Sequence, residues 1–158
     1  MSPSRYEALE RSLADASGVL FLCSGNMIRS AYAELYARYV KLALPVASAA
    51  TLYDNDRIYA ETARALRGRG VPDAWITGFR PTPLRTVEQA VEGSTVLFGM
   101  TRDHLTALTR AELAERAFLL PTLIGSDEEI ADPLFEGGFE RTFATIEACV
   151  DALGERLR

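Results

Sequence analysis

Cys23 and Arg29 stand six positions apart, joined by Ser24-Gly25-Asn26-Met27-Ile28 and followed by Ser30. A thiolate is a strong nucleophile, and an arginine fork binds two oxygens of a tetrahedral oxyanion. The run Val19-Leu20-Phe21-Leu22 before Cys23 is apolar without alternation, and Ala31-Tyr32-Ala33-Glu34-Leu35-Tyr36 reads as the start of a helix. Strand, short loop and helix aim backbone N–H groups and the positive helix end at one point. A free cysteine titrates near ~8.5, and cysteines beside helix N-termini or arginines at ~3.5–7.5. The loop is therefore expected to hold a nucleophile next to an anion nest. Gly25 allows close approach of the backbone to a ligand, and Asn26 tolerates left-handed angles. Ser30 is placed to donate a hydroxyl to the sulfur. The same residues also fit a buried structural cysteine with Arg29 solvated in a first helical turn. The strand before, the helix after and Gly-Asn between favour the chemical reading.

Positioning such a loop takes a buried strand with helices around it. Tyr6, Leu9, Leu13 and Ala16 predict an amphipathic helix over 4–16, covering an edge or face of the domain. Val19–Leu22 is expected to be a central strand buried on both faces, followed by a helix with Tyr32, Leu35, Tyr36 and Tyr39 on one side. Residues 45–50 form a weak strand candidate, and 58–68 a helix closed by Gly68 and Gly70. From Pro72 to Leu84 the chain is rich in turn formers, with a short helix expected at 85–91. Thr95–Met100 is the next buried strand, leading into a helix at 102–108, a helical turn at 112–115 and a strand at 117–120 stopped by Pro121. Residues 122–138 read as a long acidic loop and 139–157 as the closing helix. Strands alternating with helices predict an α/β fold: one doubly wound domain, residues 18–158, with a four-stranded parallel sheet and helices on both faces. Residues 1–17 stand before it as a helical extension. Ligands bind such sheets at the carboxyl ends of the strands, where Cys23 falls.

The chain has 158 residues, 48% of them hydrophobic, enough for one domain with a proper core. A net charge of −5 argues against nucleic acid or an anionic membrane as main partner. Two cysteines and one histidine make neither a disulfide framework nor a zinc site. Charges throughout 1–17 leave no apolar core for a secretory signal, and no apolar run reaches the ~20 residues of a membrane span. A single prominent cysteine in such a chain fits the reducing cytoplasm.

The stretch Leu22-Cys23-Ser24-Gly25-Asn26-Met27-Ile28-Arg29-Ser30-Ala31-Tyr32-Ala33-Glu34 resembles the phosphate loop and first helix of low-molecular-weight protein tyrosine phosphatases. Ser48-Ala49-Ala50-Thr51, Met100-Thr101-Arg102-Asp103-His104 and Asp132-Pro133-Leu134-Phe135 resemble further elements of that family in the same order. The resemblance implies a protein phosphotyrosine substrate, no metal or organic cofactor, and a phosphocysteine on Cys23. It implies phosphate held by residues 24–30 and Asp132 as general acid and then base, with a bell-shaped rate–pH profile. Taken alone, Asp132-Pro133 reads as an ordinary turn. Met27, Leu134, Phe135 and, after the Ser-Ala-Ala-Thr element, Tyr53 are the expected substrate-pocket residues. As an isolated residue, Tyr53 also fits an exposed loop.

Three departures from the family pattern matter. Ile28 stands where many members carry a second cysteine, removing a protective disulfide from the loop. Phe79-Arg80 stands where the family often has His-Arg, which puts the polar support of Asn26 and Ser30 in question. Leu134 replaces a tyrosine, with Phe135 next to it. Members that hydrolyse phosphoarginine carry a small Thr at the place of Met27, which is large and suits an aryl ring. Two other readings compete: a catalytically weak phosphate-binding module, and a thiol-dependent arsenate reductase. The latter needs further relay cysteines, whereas only Cys149 remains, with apolar neighbours that assign it to the core. The acidic run Asp127-Glu128-Glu129 near Asp132 points to discrimination against acidic phosphopeptides. Oligomeric state is not legible.

Overall fold

A computed structural model describes residues 3–158. Helix α1 (Pro3–Ala14) leads into β1 (Gly18–Cys23), α2 (Arg29–Tyr39), β2 (Val46–Ala50) and α3 (Ala60–Arg69). Next come α4 (Asp73–Gly78), α5 (Leu84–Val87), β3 (Thr95–Gly99), α6 (Arg102–Thr106), α7 (Ala111–Ala114) and β4 (Ala117–Leu119). Short α8 (Pro133–Glu136) and long α9 (Phe139–Arg156) close the chain. The four strands are parallel in the order β2-β1-β3-β4. β1 therefore lies inside the sheet, with Phe21 opposite Ser48 on one side and Phe98 on the other.

Successive residues of a strand point to opposite faces, and β1 shows why its apolar run is unbroken. Val19, Phe21 and Cys23 enter a core shared with α1, α2, α3 and α9. Leu20 and Leu22 face a smaller cluster with Leu84, Leu97, Leu113 and Ala117. Both faces are covered, as expected of a central parallel strand. Helix α2 is buried over most of its circumference, and Ala31, Ala33 and Ala37 let neighbours approach. Tyr32 stacks on Phe143 of α9 at 4.2 Å between ring centroids, and its hydroxyl donates to Glu147. The Tyr36 hydroxyl donates to Asp151 over 2.8 Å. Tyr39, expected on the same buried face, is 37% exposed.

Helix α1 lies against β4, the edge strand. Leu9 and Leu13 are buried, the Arg5 guanidinium sits 4.6 Å from the Phe118 ring centroid, and Arg5 Nη2 donates to Ala117 O.

Two segments depart from the sequence expectation. Residues 72–84 contain α4, hidden because Pro72-Asp73 and Gly78 signal turns at either end of a six-residue helix. Residues 122–138 are not one loop. A 3-10 helix spans Leu120–Ile124, with Pro121 in its first turn rather than as a stop, and α8 begins at Pro133. Proline suits a first helical turn because its missing N–H has no acceptor there. Of the two glycines expected to close α3, Gly70 does so with φ of 96°, while Gly68 is helical.

Candidate active site

The loop 24–28 leaves β1 at its carboxyl end and turns directly into α2. Its carbonyls are tied outward. Cys23 O accepts from Thr51 N (2.9 Å), Ser24 O from Leu52 N (3.1 Å) and Tyr53 N (2.9 Å), and Met27 O from Tyr59 N (3.0 Å). Gly25 O accepts from Asn55 Nδ2 at 2.9 Å. No described peptide bond is cis, and in a trans peptide the C=O and the following N–H point opposite ways. The N–H groups of Ser24, Gly25, Asn26 and Ile28 consequently turn inward. The neighbours of the loop thus hold its oxygens away from its inner side.

The sulfur of Cys23 sits on that inner side. Asn26 N lies 3.3 Å from it, Ser30 N 3.4 Å and Ser30 Oγ 2.9 Å. Asn26 adopts φ of 54°, the left-handed angle its type tolerates. Its side chain is fully committed: Oδ1 accepts from Thr82 N (2.9 Å), and Nδ2 donates to Ser30 Oγ and Ser48 Oγ (each 2.8 Å). Both hydroxyl oxygens accept from the amide, which frees their own protons to point onward. Ser30 then donates to the sulfur, and Ser48 donates to Glu34 Oε1 over 2.7 Å. Burial raises the Glu34 carboxyl above its ordinary range, against the pull of the Ser48 hydroxyl and of Arg38.

Gly25 also leaves room behind the loop. A Cβ there would meet Asn55 Nδ2 at 2.7 Å, so the missing side chain makes room for the amide that holds its carbonyl.

Arg29 is 3% exposed, with Nη1 donating to Ile130 O over 2.8 Å and Nη2 3.6 Å from Asp132 Oδ2. Ile130 N in turn donates to Met100 O at 2.9 Å, which fixes the segment that carries Asp132 to the end of β3. Asp132 caps α8, its Oδ1 accepting from Leu134 N at 2.9 Å. Asp132 thus comes more than a hundred residues along the chain to face Arg29 and Cys23. The three line a cavity of about 50 Å³ together with Ser24, Gly25, Met27, Ile28, Tyr53, Leu134 and Phe135. That volume is about three to five times the minimum that holds one water, room for one small oxyanion. Tyr53 is 53% and Phe135 76% exposed, so the mouth has two free aromatic walls. Asn26 and Ser30, both fully buried, stand behind the cavity and shape it without lining it.

One residue of the site was given no role from the sequence. His104, 2% exposed, accepts at Nδ1 from Met100 N (3.1 Å) and Thr101 N (3.0 Å), and its Nε2 lies 3.0 Å from Ser24 Oγ. Burial and then the nearby Arg29 charge lower it to about 4, so the ring is neutral. With Nδ1 occupied as acceptor, the proton sits on Nε2 and is donated to Ser24. The only histidine of the chain, just past a predicted buried strand, was the available signal.

Residues 18–158 match the family described as low molecular weight phosphotyrosine protein phosphatase. The chain belongs to that family. It is a phosphatase by this membership, and solved structures share its fold. A low-molecular-weight protein tyrosine phosphatase from T. tengcongensis superposes with a TM-score of 0.75 at 22% identity, over 90% of this chain and 100% of that one. The YwlE arginine phosphatase from Geobacillus stearothermophilus gives 0.73 at 25% identity, over 89% and 92%. Wzb from Vibrio vulnificus, in complex with benzylphosphonate, gives 0.74 at 20% identity, over 90% and 99%. No curated sequence matches significantly.

One of the phosphatase's departures from its family takes on structural meaning, as does its second cysteine. Phe79 is buried in the core, 7% exposed, and makes no polar contact to the loop. Asn26 and Ser30 nevertheless keep full polar support, from Thr82 N, Ser48 and Glu34. Cys149 is fully buried in α9, and burial pushes its thiol up to about 12. It stays protonated and is a poor relay nucleophile. Among the described residues no helix is long and apolar enough to cross a membrane, and no group of three or more His, Cys, Asp or Glu side chains could hold a metal.

Proposed function

We propose that this phosphatase hydrolyses aryl phosphate monoesters, phosphotyrosine in proteins foremost, through a phosphocysteine on Cys23. The observation that carries the reading is the convergence of Cys23, Arg29 and Asp132 on one small cavity with aromatic walls at its mouth. The thiolate attacks phosphorus as the bond to the aryl oxygen breaks, while Asp132 gives its proton to the leaving phenolate. Inward N–H groups and Arg29 hold the equatorial oxygens, whose charge grows in the transition state. A water then attacks the phosphocysteine, Asp132 takes its proton, and the S–P bond breaks. Ser30 Oγ, already 2.9 Å away, receives the departing thiolate with a hydrogen bond.

A second substrate class, phosphoarginine, is raised by the 25%-identical arginine phosphatase. Met27 weighs against it: the side chain lines the cavity with an apolar surface that suits a ring. One assay separates them. Purified protein is expected to release phosphate from p-nitrophenyl phosphate and phosphotyrosyl peptide, far less from phosphoserine or phosphoarginine peptides, and Cys23→Ser to abolish turnover. Wild-type turnover no faster than Cys23→Ser would leave a phosphate-binding module as the reading. A preference for phosphoarginine would replace the substrate class.

A further inference from the structure

The small cavity at Cys23 adjoins a larger one. About 570 Å³ in volume, it shares Ser24, Arg29, Tyr53, Asp132 and Phe135 with the small cavity. Its lining also includes Leu52, Thr101, Asp103, His104 and Thr106. A phosphoryl group fills the inner cavity, and a single tyrosine ring between Tyr53 and Phe135 leaves most of the outer one to the adjoining peptide.

The charges of the outer cavity are unequally matched. Arg29 and Asp132 face each other at 3.6 Å. Arg102, next in sequence to Asp103, is turned away from it, to Glu129 at 3.5 Å and to Asp127 O at 3.0 Å. Asp54, near the loop that carries Tyr53, is bound by Arg85 at 2.7 Å. Asp103 forms no ion pair among the described residues, and its side chain is exposed at the cavity wall. Bound phosphate further occupies Arg29, leaving Asp103 as the uncompensated charge.

We propose that this outer cavity is a subsite for the residue flanking the phosphotyrosine, and that Asp103 selects a cationic side chain there. The proposal rests on the phosphotyrosine reading above and adds the sequence context that the substrate must have. Thr101 and Thr106 offer hydroxyl oxygens for an ammonium or guanidinium group, and Leu52 an apolar surface for its methylene stem. A glutamate in the same place meets a like charge.

The test uses short phosphotyrosyl peptides that differ only in Lys, Ala or Glu beside the phosphotyrosine, with kcat/KM measured at low and high salt. Exposed ion pairs are individually weak, so a Lys-over-Glu preference of about three- to tenfold is expected at low salt, shrinking as salt rises. Asp103→Asn should reduce that ratio to under half its wild-type value while leaving p-nitrophenyl phosphate turnover unchanged. Glu115→Gln removes an exposed charge from outside the cavity and should leave the ratio in place. Equal rates on Lys and Glu peptides, or equal loss of preference in both variants, overturn the subsite. A wild type that cleaves p-nitrophenyl phosphate but none of the peptides overturns the phosphotyrosine reading with it.

Discussion

His104 Nε2 lies 3.0 Å from Ser24 Oγ, and two backbone N–H groups fill the other ring nitrogen. The ring therefore donates, and the Ser24 hydroxyl proton is directed away from it, toward the cavities that Ser24 lines. His104 is a positioning residue acting through the loop. His104→Ala is expected to lower kcat/KM on p-nitrophenyl phosphate about tenfold, the worth of one oriented hydrogen bond. His104→Gln, which restores a donor near the place of Nε2, should recover part of it. Imidazole ¹⁵N shifts in the wild type should report the Nε2–H tautomer. A protonated Nδ1 contradicts the assignment.

The same ring makes stability depend on pH. Its ordinary value is 6.5, and in the folded chain it falls to about 4. Between those values the unfolded chain binds more protons, so stability is complete above pH 6.5 and drains away as pH falls toward 4. The loss should reach roughly 2–3 kcal/mol. Urea unfolding at a series of pH values would show it, and His104→Gln should flatten that part of the profile.

Asp132→Asn isolates proton transfer from architecture. The amide oxygen can still accept from Leu134 N, so α8 keeps its cap. Turnover of phosphotyrosyl peptide should fall ~10²–10⁴-fold. The loss should be smaller with p-nitrophenyl phosphate, whose leaving group needs less help. The alkaline limb of the bell-shaped profile, where a general acid has lost its proton, should be absent from the variant.

Glu34 costs stability where it is ionised. Its carboxyl is raised by burial, so the folded chain holds the proton more tightly than the unfolded one, and stability falls as pH rises from the unfolded value of 4.5. Glu34→Gln keeps an acceptor for Ser48 and should gain on wild type as pH increases toward neutrality. Glu34→Ala leaves the buried Ser48 hydroxyl without its acceptor and should cost about 1–3 kcal/mol. Thermal unfolding of the pair at pH 5 and 7.5 distinguishes the two effects.

The loop from Cys23 to Arg29 was legible in the sequence because it is local. Strand, loop and helix are contiguous, and a buried strand read from Val19–Leu22 leaves Cys23 at its carboxyl end with Arg29 one turn away. The parallel sheet followed from the alternation of strands and helices, and the left-handed angle of Asn26 from its residue type. What holds the loop open was not legible, since backbone groups do the holding. Thr82 N–H on Asn26, Ile130 C=O on Arg29, and the N–H groups of Thr51, Leu52, Tyr53 and Tyr59 on the loop carbonyls carry no residue-type signature. That Asn55 packs behind Gly25 was not legible either. His104 and Asp103 needed the tertiary structure as well: α6 sets one ring against Ser24 and one carboxylate on the wall beside the site. Sequence by itself determined which side chains stand together in the loop from Cys23 to Arg29, because their spacing is short and local. Tertiary structure decided how those side chains are aimed and what surrounds them, because aiming depends on backbone groups brought together across the sheet.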